Sequence, residues 1–222
     1  GMPGRVKCLH VLAAHSLAAG PGVNPLGDEV LARVGQWWSP SSCAGTAVAR
    51  PAALPARPRR VGAVDCGTNS IRLLVAERGQ HDGALTDLTR RMEVVRLGQD
   101  VDRTGVLHPA AVERTLRVAR SYAAACRELG VDAVRFVATS ASRDVRNADD
   151  LVAGVRAVFR EAYGREVTPE VVSGDEEARL SFRGATGGLR GLGLEGPYLV
   201  VDVGGGSTEL VRGTDDVEAA RS

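Results

Sequence analysis

The sequence predicts an α/β fold: a mixed sheet covered by helices, followed by the opening hairpin of a second unit. Three observations carry this. Residues 61–75 (VGAVDCGTNSIRLLV) and residues 198–212 (YLVVDVGGGSTELVR) follow one plan, an apolar strand ending in Asp, a Gly-containing turn with hydroxyl residues, and a second apolar strand. The first segment runs on into a third strand, which makes a meander. Beyond it helical and strand periods alternate, an order that implies a mixed sheet with helical cover.

Strands are expected at residues 61–65, 70–76 and 84–97, the last closing in VVRLGQDV. His108 and Pro109 then open a helix, with Pro at a first-turn position where its missing N–H is harmless. Val112, Leu116, Ala119, Ala123, Cys126 and Leu129 form an apolar stripe at helical spacing, and Gly130 is the expected C-terminal stop. A short buried strand at 134–138, a helix at 149–159 and a strand at 168–172 follow. The run RNADD reads as the start of that helix and not as a metal site. Asp175 is expected to cap a helix that reaches residue 186. The Gly-rich stretch GGLRGLGLEGP, residues 187–197, links it to the second hairpin.

Residues 1–60 differ in kind. They are rich in Ala, Pro and Gly, end in ARPAALPARPRR and keep no sustained period. Frequent Pro denies both helix and sheet, so a disordered segment or a foreign extension is expected. Gly1 before Met2 looks like a tag scar, and Trp37-Trp38 reads as incidental.

The composition excludes several classes. A formal net charge of +1 asks for neither nucleic acid nor an anionic membrane. No apolar run is long enough to span a bilayer. Arg5 and Lys7 precede a short Ala/Leu stretch that suggests a leader, but His10 and His15 interrupt it, and export is not expected. None of Cys8, Cys43, Cys66 and Cys126 forms a CxxC pair, which favours buried free thiols in a reducing cytoplasm over disulfides or zinc.

The two turns carry the chemistry. Gly permits positive φ and leaves room for phosphate oxygens at its N–H groups. Ser70, Ser207 and Thr208 add donors. Asp65 and Asp202, each just before a turn, would be repelled by phosphate but suit a divalent cation that binds it. An Asp-Gly turn is also an ordinary hairpin signal; two copies in one chain point to function.

The set DCGTNSIRLLV, VVRLGQDV, VATSASRDVRNADD, VVSGDEEARLSF and VVDVGGGSTELV resembles the exopolyphosphatase / guanosine pentaphosphate phosphohydrolase family, of the actin, sugar-kinase and heat-shock-ATPase superfamily. The resemblance covers residues 61–212. It implies two ribonuclease-H-like lobes with a cleft between them: a first lobe at 61–186, the linker at 187–197 and a truncated second lobe at 198–222. It implies release of terminal phosphate from inorganic polyphosphate or from guanosine pentaphosphate, with Mg²⁺ or Mn²⁺, and a homodimer at full length. By the same resemblance Glu177 is the general base, Asp202 and Glu209 meet the metal, to which the reading of the first turn adds Asp65, and Gly67, Thr68, Asn69, Ser70, Gly204, Gly205, Gly206, Ser207 and Thr208 form the phosphate turns. Arg96 and Arg143 fall on family arginines that face phosphate. The chain ends soon after its second hairpin, so a fragment that folds through its first lobe with little activity is expected.

Plainer readings stand beside these. Glu177 also suits a first-turn Glu favoured by the helix dipole, and Glu176 competes for the role of base. Arg143 and Asp144 would make a surface ion pair of little consequence. His81 and His108 read as exposed or turn residues. At the level of function, the alternatives are a non-catalytic polyphosphate- or nucleotide-binding module, and a kinase or ATPase, against which the segment EEAR argues.

Overall fold

The computed structural model describes residues 59–79, 85–143, 145–189 and 192–221. The expected meander is present as β1 (Arg59–Cys66), β2 (Ser70–Arg78) and β3 (Leu85–Val94). β1 also pairs in parallel with β4 (Ala133–Ala138), and β4 with the short β5 (Glu170–Val171). The sheet is therefore mixed, in the order β3-β2-β1-β4-β5. Its central strands are long apolar runs because helices cover them.

Two helices supply that cover, α2 (Pro109–Glu128) and α4 (Ala148–Ala162), with a short α1 (Val101–Thr104) before them. The core joins Val64, Ile71, Leu73 and Val75 of the sheet to Ala119, Tyr122 and Cys126 of α2 and to Leu151, Val155 and Phe159 of α4. Aromatic residues are few, yet Phe136, Phe159 and Phe182, the only three phenylalanines in the chain, are all fully buried. Phe136 and Phe159 meet edge to face at 6.0 Å. Tyr122, also buried, donates its hydroxyl to the Ile71 carbonyl at 3.1 Å, tying α2 to β2.

The ends of α2 follow from its sequence. His108 caps it through Nδ1, which accepts from the Ala110 N–H, and Pro109 is its first residue. Gly130 sits just beyond the last turn at φ 60, and it and Val131 donate to Arg127 and Cys126. That is a Schellman closure, which needs a residue at ease with positive φ.

Four expectations need correction. β3 stops at Val94, not at residue 97, because Arg96 turns the chain at φ 50. The N–H groups of Val95 and Arg96 both donate to the Asn69 carbonyl, and that of Gly98 to Thr68, so this stretch backs the first turn instead of extending the sheet. The strand expected at 168–172 shrinks to the two residues of β5. The helix α5 (Gly174–Thr186) is capped by Ser173, whose hydroxyl accepts from the Glu176 N–H at 3.2 Å; Asp175 lies in its first turn. The second hairpin, β6 (Tyr198–Val203) and β7 (Thr208–Gly213), gains a third strand, β8 (Val217–Arg221), in a sheet ordered β6-β7-β8.

α5 touches both sheets. Its Leu180 packs with Val137 of the first and with Val172, just past the end of β5. Its Ala178 and Phe182 pack on Val211 of the second, beside Tyr198, Val200 and Val217. The opposite face of the second sheet leaves Leu199, Val201, Val203 and Leu210 exposed.

Cys66 and Cys126 are buried free thiols, as expected. Asp149 and Asp150 lie in the first turn of α4, so RNADD does open a helix. The reading of residues 1–58 as disordered or foreign, and those made for Cys8, Cys43, Trp37, Trp38, His81 and Asp144, fall outside the described residues, while Arg59 and Arg60, expected in that segment, open β1 and its pairing with β2. Among the described residues no helix is long and apolar enough to cross a membrane.

Candidate active site

The two similar segments are similar in space as well. In the first turn the Gly67 N–H donates to the Ser70 carbonyl at 3.0 Å, and in the second the Gly204 N–H donates to the Ser207 carbonyl at 2.9 Å. Strand register matches too. Asp65 lies opposite Arg72 across β1 and β2, and Asp202 lies opposite Glu209 across β6 and β7.

Both turns line one cleft, open to solvent. Asp65, Gly67, Thr68, Asn69, Ser70 and Arg72 come from the first hairpin; Asp202, Gly204, Gly205, Ser207 and Glu209 come from the second. Thr139 and Ser140, at the start of the short α3 (Ser140–Arg143), and Glu177 complete the wall. The tips of the turns meet: a Cβ on Gly205 would lie 2.8 Å from the Asn69 Cβ and 3.2 Å from its backbone nitrogen. Glycine is required there for close approach of two backbones. Gly206 abuts Thr68 and Ser140, whose hydroxyls share a hydrogen bond of 2.8 Å.

Glu177 and Glu176 are adjacent in the first turn of α5 and are separated by the helix. Glu177 is buried and enters the cleft; its Oε2 accepts from the Arg143 guanidinium at 2.6 Å. Glu176 points elsewhere, to Arg135 at 3.6 Å and Arg179 at 4.0 Å. Burial raises the Glu177 carboxyl above the usual range; the Glu209 carboxylate, and more weakly Asp65, push the same way, while the Arg143 hydrogen bond opposes them.

The acids of the two hairpins differ in their surroundings. Asp65 is held by Arg72 at 3.0 Å. Asp202 accepts at Oδ2 from the Ser181 hydroxyl at 2.7 Å, and its cross-strand neighbour, Glu209, is another acid. Among the described residues no group of three or more His, Cys, Asp and Glu is arranged so that it could hold a metal ion.

The remaining candidates lie outside the cleft wall. Arg96 is exposed in the turn behind Asn69. Arg143 stands behind Glu177, its Nε donating to the Val172 carbonyl at 3.0 Å. Thr208 is exposed at the start of β7. The sequence reading missed Arg72, Thr139, Ser140 and Ser181. Superposing the two hairpin segments would have found Arg72, since it holds the place of Glu209.

Residues 74–222 match the family model described as the Ppx/GppA phosphatase family. Residues 1–32 match a second model, described as a protein of unknown function (DUF501). The chain is 48% identical over 165 residues to Exopolyphosphatase 2 of Mycobacterium tuberculosis, an alignment that covers 73% of this chain and 51% of that protein. It is similar to the crystal structure of an exopolyphosphatase-like protein at 43% identity and a TM-score of 0.65, covering 73% of this chain and 49% of that one. A Ppx/GppA family member from Aquifex aeolicus matches at 33% identity and a TM-score of 0.59, over 73% and 50% of the two chains. The chain thus spans about half the length of the relatives it matches.

Proposed function

The chain belongs to the Ppx/GppA phosphatase family, and on that premise we propose that its cleft takes the terminal phosphates of inorganic polyphosphate and hydrolyses the last phosphoanhydride bond. The observation that carries the reading is Glu177: a buried carboxyl, held by Arg143 at 2.6 Å, entering a cleft walled by two Gly-rich turns. Backbone N–H groups and hydroxyls bind phosphate oxygens without regard to any base or sugar. Glu177 accepts the proton of the attacking water. Arg72, in the cleft wall, is placed to meet negative charge on the transferred group.

The donors also fit a divalent cation. Asp202 and Glu209 are cross-strand neighbours in the cleft wall, and each offers carboxylate oxygens to it. Mg²⁺ and Mn²⁺ take hard oxygen ligands, and Mg²⁺ needs only one or two carboxylates when substrate phosphates and water complete its shell. Such an ion would supply charge neutralisation on the phosphate oxygens. Asp65, already paired with Arg72, is the less suited of the three acids.

Guanosine pentaphosphate, which presents the same kind of terminal phosphate to the two turns, is the second substrate to assay.

The test is phosphate release from polyphosphate, by this chain and by a protein in which it is continued to the length of its relatives. Release that requires Mg²⁺ or Mn²⁺ and stops on chelation is expected. Release unaffected by chelation would remove the cation from the reading, and no release from polyphosphate by either protein would remove the substrate.

A further inference from the structure

α5 carries two cleft-directed functions one turn apart. Glu177 and Ser181 stand at i and i+4, so they share a helix face. Glu177 lines the cleft, and the Ser181 hydroxyl reaches Asp202 Oδ2 at 2.7 Å. Ser181 is buried at 5% exposure, and Asp202 is itself part of the cleft wall. A donor O–H on a carboxylate fixes which oxygen is turned towards a neighbouring ion, and such outer partners tune metal affinity strongly.

We propose that Ser181 is a positioning residue: its hydroxyl orients Asp202 for the divalent cation and ties the cation's carboxylate to the helix that carries Glu177. The inference rests on the reading of Asp202 as a cation ligand. It accounts for the different fates of two equivalent acids. Asp65 is oriented by the cation of its own hairpin, Arg72. Asp202 has an acid, Glu209, in that place, and accepts a hydrogen bond from a neutral donor on another element. That bond aims a carboxylate oxygen and adds no charge of its own. Ser181 also links the two lobes of the site. The base and the cation-bearing strand are held to one rigid helix, on a face adjoining the Ala178 and Phe182 contact with the second sheet.

The experiment is Mn²⁺ titration of the full chain, followed by the relaxation of water protons, which reads binding without turnover. Ser181→Ala should raise the Mn²⁺ dissociation constant by about tenfold. Ser142→Ala is the control: it deletes another buried serine hydroxyl, one with no hydrogen-bond partner, and should leave the constant unchanged. Asp202→Asn should weaken binding further, and adding Ser181→Ala to it should cost nothing more, since the two act through one contact. If Asp202→Asn weakens binding and Ser181→Ala stays within twofold of the parent, the role of Ser181 falls while the cation reading stands. If Asp202→Asn leaves binding unchanged, or the chain takes up no Mn²⁺, the cation reading fails and the inference with it. Equal losses in Ser181→Ala and Ser142→Ala would mark a general packing effect and overturn the assignment.

Discussion

Arg72 and Glu209 occupy the same register position in two like hairpins, each directly across the ladder from an aspartate. One hairpin therefore presents a neutralised Asp65–Arg72 pair and the other an acidic Asp202–Glu209 pair. A single change of residue at an equivalent point thus gives the two hairpins different charge patterns, and under the proposed reading the second is the one that holds the cation.

That division predicts different outcomes for two matched substitutions. Asp202→Asn should lower Mn²⁺ affinity by at least tenfold, whereas Asp65→Asn should change it little. Asp65→Asn should instead lower the thermal midpoint, because it leaves the partly buried Arg72 without its partner. Equal losses of Mn²⁺ affinity in both would restore a three-acid metal site.

Glu177→Gln keeps the shape of the buried side chain and its contact with Arg143, but Gln cannot take the water's proton. Turnover of polyphosphate should fall by about 10²–10⁴-fold while binding persists. Glu176→Gln, whose side chain faces Arg135 and Arg179, should cost little. Similar losses of kcat in the two would reject the assignment of the base.

The pH profile follows from the raised Glu177 carboxyl. A base acts when deprotonated, so kcat/KM should fall as pH drops through a value above the ordinary Glu pKa of about 4.3. Arg143 lowers this pKa, so Arg143→Gln should move the acid limb to higher pH; Glu209→Gln, which removes a repelling charge, should move it lower. For stability the sign is opposite to that of an ion-paired acid. A carboxyl raised on folding favours the protonated native state, so its contribution is present below the unfolded pKa and is lost as pH rises through the folded one. An acid limb at the ordinary Glu position, unmoved in both variants, would exclude Glu177 as the titrating base.

Gly205→Ala tests the contact between the turn tips. Its Cβ would press on the Asn69 Cβ and backbone at 2.8 and 3.2 Å, so one turn must move. Turnover should drop by up to about 10²-fold, the scale of a displacement near 1 Å, with little change in thermal midpoint. Gly188→Ala, which meets nothing within 4 Å, is the control. Full activity in Gly205→Ala would show that the cleft works with its tips apart.

Phe159→Ala addresses the core. Phe159 is fully buried against Phe136 and Tyr163. Its loss should cost about 3–5 kcal/mol, read as a shift in the denaturant midpoint. A loss below about 1 kcal/mol would mean that the core closes over the cavity.

The sequence alone determined the features that depend on local pattern. The α/β class, the meander, the helix opened by His108 and Pro109 and stopped at Gly130, and the likeness of the two turns all follow from the run of apolar residues, Gly and Pro. The boundaries that moved did so for tertiary reasons. β3 ends early because the Asn69 carbonyl recruits the N–H groups of Val95 and Arg96. β8 escaped notice because the acidic stretch TDDVEAARS shows no strand alternation of its own and pairs only where β7 offers a partner.

Only the tertiary structure decided between Glu176 and Glu177. Adjacent residues on a helix differ by about 100° in direction, and α5 must be docked between two sheets before either direction means cleft or solvent. The same holds for Arg143, which a sequence places near phosphate and the fold places behind Glu177. Ser181 acquires its partner only when a helix and a strand 21 residues apart in the chain come within hydrogen-bond reach. Periodicity and motif are written along the chain; which acid pairs with an arginine, which is buried and which accepts from a serine are set by neighbours that folding brings together.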